Sequence, residues 1–278
     1  VSLLYGHISL SAVHIHERDM RLFYRCHRTY CIMESVVSPA MVTFLFIILT
    51  ALVVMGLSRL LDHIWARVLR LPWLYFIVSA PGVIVHECAH IIGCFVTGAK
   101  IKKVVLISKE GGMVSYAPPV IPLVGNVIIS TAPLFFLPIV LAALTWFFGT
   151  YAGCTFSSAI PALDSFASVY SLIITVGEIL YQNLFVAFNG WFLVYLYLVT
   201  SLVLSFSPST QDLKNAVVGI LTFVIAGFCL LVTGIPAVTG IFLTVIGLFG
   251  TGLAIGFAFE LVALLVSLPV LVFYRKTP

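Results

Sequence analysis

The stretch "APGVIVHECAHIIGCFVTG", Ala80 to Gly98, sets two histidines and a glutamate inside a run that otherwise reads as membrane-spanning. Ionisable groups are costly at that depth, so His86, Glu87 and His90 need mutual partners or a ligand there. The surrounding sequence supports the membrane reading. Of 278 residues, 62% are apolar and only 9% charged, where soluble domains run near half and a quarter. Coarse spans are Ala40–Leu57, Leu74–Val96, Val120–Phe148, Trp191–Phe206, Ala216–Val232 and Gly240–Phe273, each apolar enough to cross a core of ~30 Å. The expected fold class is an all-α polytopic membrane protein with about six transmembrane helices. The last candidate is too long for one perpendicular helix, so it is expected to tilt, leave the bilayer, or break near Gly247, Gly250, Gly252 and Gly256.

The net charge of +4 comes from 14 basic residues scattered between spans. No basic face is interleaved with aromatics, so nucleic acid is not an expected partner; the lipid bilayer is. Lys100, Lys102, Lys103 and Lys109 follow the second span, and Arg275 and Lys276 close the chain. The positive-inside rule places both at the cytoplasm, and with six crossings the N-terminus joins them. Arg59, Arg67 and Arg70 then lie on the other side, against the trend. With no transit-type segment, a plasma membrane is the default location. Cys88, Cys94 and Cys229 read as small buried hydrophobes, not as disulfide partners.

Residues 1–39 form a separate N-terminal extension, expected to be poorly ordered, and residues 40–278 the membrane-embedded domain. Residues 1–33 hold four of the seven histidines. His14, His16, Cys26, His27 and Cys31 match none of the usual zinc spacings, and Met33 opens a stretch that reads like an ordinary protein start. "SRLLDHIWARVLRLPW", from Ser58, reads as a short amphipathic helix at the interface. "KIKKVVLISKEGGMVSYAPP" has β-branched runs on both sides of a Glu-Gly-Gly turn and predicts a small β-hairpin at the membrane surface. Asp164–Phe188 reads as an amphipathic helix outside the membrane core. No internal repeat is present.

His86 and His90 stand four apart, so on a helix they share a face and reach one tetrahedral Zn²⁺, with Glu87 beside the metal as base for a bound water. Hydrogen bonding as polar glue between helices would not need this spacing. A catalytic zinc takes a third protein ligand. The available carboxylates are Glu110, Asp164, Glu178, Asp212 and Glu260. Asp212 fits best: it sits in the polar break "SFSPSTQDLKNAVVG" between two apolar spans, although Asp is equally at home as a helix N-cap, a place Ser209 or Thr210 could also take. Glu178 is the reserve ligand, and Glu260 reads as a buried hydrogen-bonding acid or a residue near the inner surface.

With HECAH in a membrane helix, the Lys-rich hairpin, "PLVGNVIISTAP" and an acid after Ser-Pro, the chain resembles the site-2 protease family of intramembrane zinc metalloproteases over roughly Leu74 to Ala216. The resemblance implies a core at about 74–216, one Zn²⁺ bound by His86, His90 and Asp212, and Glu87 as catalytic base. It also implies transmembrane proteins as substrates and an edge at Ile101–Ser108 that pairs with extended substrate. Family members commonly carry Asp-Gly where this chain has Asp212-Leu213, so the turn around the acid differs. Asn126 could donate to a scissile carbonyl or be a structural amide. The competing reading is a non-proteolytic membrane metal-binding protein or transporter using the same histidines, which would be expected to show paired repeats.

Overall fold

The computed structural model describes residues 39–68, 72–108, 111–156, 160, 166–207, 209–233 and 235–274. The N-terminal extension with its histidines and cysteines, Glu110, Asp164, Arg70, Arg275 and Lys276 lie outside them. Seven α-helices and one hairpin follow in order: α1 Pro39–Val68, α2 Pro72–Thr97, β1 Ile101–Val105, β2 Met113–Tyr116, α3 Pro122–Tyr151, α4 Phe166–Tyr181, α5 Gly190–Leu204, α6 Thr210–Thr233 and α7 Pro236–Tyr274. Four of these helices begin on a proline. The first turn has no use for that residue's missing N–H, and its fixed φ suits a helix start.

The all-α polytopic class holds, with a different distribution of crossings. Five helices are long and apolar enough to cross a membrane: α1, α2, α3, α7 and the stretch Ala167–Val186, which was expected to stay outside the core. The fourth and fifth expected spans are shorter apolar helices. α5 has 15 residues, about 22 Å of helix and less than a bilayer core. It runs parallel to α2, with Tyr197 bonded at Ile77, Ser201 at Gly82 and Ser205 at His86. It ends at the level of His86, where α6 takes over, and Gly227 of α6 reaches Phe44 and Phe242 near the starts of α1 and α7. α6 lies against α3, with Gly219 at Thr131 and Phe223 at Phe135.

The expected interfacial helix after Ser58 is the continuation of α1, which runs 30 residues without a stop. Nor does α7 break: it is one helix of 39 residues. Gly250, Gly252 and Gly256 serve packing instead. Gly252 lies on the Pro138 carbonyl and Gly256 lets the Phe206 ring approach, while Gly247 touches nothing within 4 Å. Contacts of Gly250 with Ile47 and of Ser267 with Trp65 make α7 parallel to α1. Pro39 and Tyr274 therefore lie at opposite ends of this pair. Asn183 bonds both backbone groups of Thr155 and Asn189 bonds the Ala152 carbonyl, so the residues before α5 return to the end of α3.

β1 and β2 pair antiparallel from Ile101↔Tyr116 to Val105↔Met113. Ile101, Val114 and Tyr116 pack on Cys94, Ala99 and Ile129, so the strands lie back along α2, and Gly112 touches Glu87. Glu87 is ten residues before the end of α2, about 15 Å along the helix.

Candidate metal centre

The histidines owe their depth to α2 and their ring orientation to two carbonyls that helix geometry leaves free. Pro133, inside α3, has no N–H to give the Ile129 carbonyl four residues back; His90 Nδ1 takes it at 2.8 Å. The Ser205 carbonyl follows the last turn of α5, beyond its hydrogen-bond ladder; His86 Nδ1 takes that one at 2.9 Å. Carbonyls accept, so each Nδ1 is the donor and each Nε2 is left free as a ligand; a hydrogen bond of this kind from the other ring nitrogen orients metal-binding histidines. α2 contains a proline of the same kind. Pro81 frees the Ile77 carbonyl, and the Tyr197 hydroxyl donates to it at 2.7 Å.

Asp212 lies in the first turn of α6. Ser209 accepts the Asp212 backbone N–H at 3.1 Å and donates its hydroxyl to Asp212 Oδ2 at 2.5 Å. Ser209 is therefore the residue that caps α6, and the Asp212 carboxylate is directed inward. Its Oδ2 stands 3.6 Å from His90 Nε2. Ligands about 2.0–2.1 Å from a tetrahedral ion are separated by about 3.4 Å, so this edge already has the dimension of a metal site.

Ligand atoms of His86, His90 and Asp212 lie within 4.8 Å of one another. Two imidazole nitrogens and one carboxylate oxygen, each supported by a further hydrogen bond, are a donor set that could hold a metal ion. Glu87 and His90 are buried, and His86 and Asp212 half-buried. Glu178 is exposed on α4 and is not in this group. Glu260 is fully buried on α7, but neither of its oxygens has a hydrogen-bond partner among the described residues, which departs from the expected hydrogen-bonded acid. Asn126 is half-buried on α3, one turn before Ile129.

A cavity of about 300 Å³ reaches His86 and Glu87 from α1 and the N-terminal half of α2. Arg59, Asp62, Tyr75, Ser79, Gly112 and Ser209 are among its lining residues. The metal group is legible in the sequence and the cavity is not, because the stretch from Ser58 reads as an amphipathic helix at the interface. The Glu-Gly-Gly signal marked a turn without indicating that the turn lies on Glu87. Compared with known proteins, the chain matches no family model, and no curated protein or solved structure matches it.

Proposed function

We propose that the chain is an intramembrane zinc metalloprotease of the site-2 protease kind, hydrolysing peptide bonds in or beside transmembrane segments of other proteins. The observation that carries this reading is the convergence of His86, His90 and Asp212 with Glu87 one residue along the same helix. Zinc bound by those three residues supplies Lewis acidity toward a water molecule and a scissile carbonyl. Glu87 accepts the proton from the attacking water and delivers it to the departing amide nitrogen. Ile129 and Ser205 hold the imidazoles still through this, and Asn126 is the candidate donor to the scissile carbonyl.

Substrate must be extended to be cut, because a helical amide is shielded and hydrogen-bonded. β1 is exposed along Lys102, Lys103 and Val104, and its outer edge suits strand addition. The lysines at this end favour a cytoplasmic face, in a plasma membrane, for the end from which the hairpin descends.

The test is bound zinc and cleavage of a single-span substrate by wild type, Glu87→Gln and Asp212→Ala. Glu87→Gln is expected to keep zinc and lose activity, and Asp212→Ala to lose zinc. Undiminished cleavage by Glu87→Gln sinks the proposal.

A further inference from the structure

The cavity beside Glu87 has a wall that the metal centre does not use. α1 contributes Arg59, Asp62 and His63 to it, all within the stretch Ala40–Ala66 that is apolar and long enough to cross a membrane. Ionisable residues at such depth face a protein interior or a water-filled cavity and carry a partner. Asp62 has one, accepting the Tyr75 hydroxyl, and His63 Nδ1 donates to the Arg59 carbonyl at 2.8 Å. The Arg59 guanidinium is half-buried and forms no ion pair with a carboxylate among the described residues.

The depth of Arg59 is fixed by its neighbour. Ser58 donates to the Val203 and Leu204 carbonyls at 2.7 and 3.3 Å, and Ser205, the next residue on, holds His86. Arg59 therefore joins the cavity near the level of the metal ligands. Three of the four serines around it are already engaged, Ser79 with the Phe76 carbonyl, Ser205 with that of Ser201 and Ser209 with Asp212. Beside Ser207, what remains open is a cation with five N–H donors and no acceptor. Its complement is a carboxylate, which a guanidinium grips through two parallel hydrogen bonds.

Building on the protease reading, we propose that Arg59 is the specificity-determining residue of this cavity and binds a carboxylate of the substrate chain close to the scissile bond. The carboxylate comes from an Asp or Glu side chain or from a chain terminus. Either source places the cut in an acid-bearing stretch at the edge of a membrane segment, not in its apolar middle.

The test uses the full chain in detergent micelles. Four fluorescent single-span peptides are compared: one with Glu beside the scissile bond, one with Gln in its place, and a C-terminal carboxylate and carboxamide pair. Binding is read by anisotropy on Glu87→Gln, with and without Arg59→Lys or Arg59→Gln, and hydrolysis on the same series without the Glu87 change. An acid is expected to bind about 10–100-fold tighter than its amide, the range for a hydrogen bond to a charged group. Arg59→Gln erases that ratio, Arg59→Lys keeps part of it, and zinc content stays constant. The pair that responds identifies the source. Equal binding of acid and amide, or a preference that survives Arg59→Gln, overturns the proposal. Hydrolysis without acid preference overturns Arg59's role and leaves the protease reading intact. Arg59-dependent binding without hydrolysis by wild type overturns the protease reading and leaves Arg59's role standing. Should Arg59→Gln fail to fold, the charge swap Arg59→Glu with a Lys-bearing peptide decides: no gain for that peptide overturns the proposal.

Discussion

His90 hydrogen-bonds through Nδ1, at 2.8 Å, to the one carbonyl of its neighbouring helix that Pro133 leaves without a donor, that of Ile129. The proline is therefore a positioning device: its absent N–H keeps the acceptor available for the imidazole.

Pro133→Ala restores the N–H and lets the α3 ladder compete for the Ile129 carbonyl. An interior proline costs a helix about 3 kcal/mol, so the variant is expected to melt at the same or a higher temperature than wild type. Zinc affinity is expected to fall about 10–100-fold, the usual effect of losing a partner of a metal-binding histidine. Zinc titration alongside a thermal melt reads both, and unaltered affinity would show that the ring is held by other contacts.

Gly112 presses its backbone on Glu87. A β-carbon at Gly112 would overlap Glu87 Cγ and stand 2.8 Å from the carboxylate carbon and Oε1. The colliding atoms belong to the end of a flexible side chain, so Gly112→Ala is expected to move the carboxylate and leave the fold standing. Cleavage should drop at least about tenfold, as misplacing a reacting group does, with bound zinc unchanged. Full activity in a zinc-replete Gly112→Ala protein would remove the hairpin turn from the catalytic geometry.

Much of the centre could be read along the chain because it is local. His86 and His90 declare a common helical face by spacing alone, and Asp212 announces itself as an acid in a polar break. The hairpin was equally legible as two β-branched runs around a turn. What could not be read is which surfaces those elements share. The acceptors behind the histidines are backbone carbonyls with no side-chain signature, although Pro133 four residues after Ile129 is a usable signal. The hairpin's course along α2 depends on Cys94 and Ile129, and nothing in the strands names them. The stretch holding Arg59 and Asp62 reads as an interfacial helix because periodicity does not distinguish water outside a protein from a water-filled cavity within it. The glycines of α7 read as breaks because close packing and flexibility favour the same residue.

That last ambiguity gives a direct comparison. A methyl group at Gly82 would overlap the Ser201 carbonyl, and one at Gly252 the Pro138 carbonyl, both backbone atoms. Gly247 and Gly240 face open space. Gly82→Ala and Gly252→Ala are expected to cost about 3 kcal/mol or more, the upper range of overpacking. Gly247→Ala and Gly240→Ala should be neutral or slightly stabilising, since alanine is the better helix former by about 1 kcal/mol. Denaturant unfolding in micelles ranks the four; equal effects would mean that α7 does not sit on α3 as described.

Glu260 is fully buried, and both carboxyl oxygens lack a hydrogen-bond partner among the described residues. It belongs neither to the metal group nor to the cavity lining beside Glu87. A buried polar group without a partner costs about 1–3 kcal/mol, and an apolar side chain of similar size removes that cost without opening a void. Glu260→Leu is therefore expected to stabilise the protein by about that amount, with zinc content and cleavage unchanged. Glu260→Gln keeps an unpartnered polar group in the same place and should give no comparable gain. The pair separates two cases that one variant would confuse. If leucine destabilises while glutamine is tolerated, Glu260 has a polar partner after all, a water or an ion bound between α7 and its neighbours, and the last helix carries a second polar site.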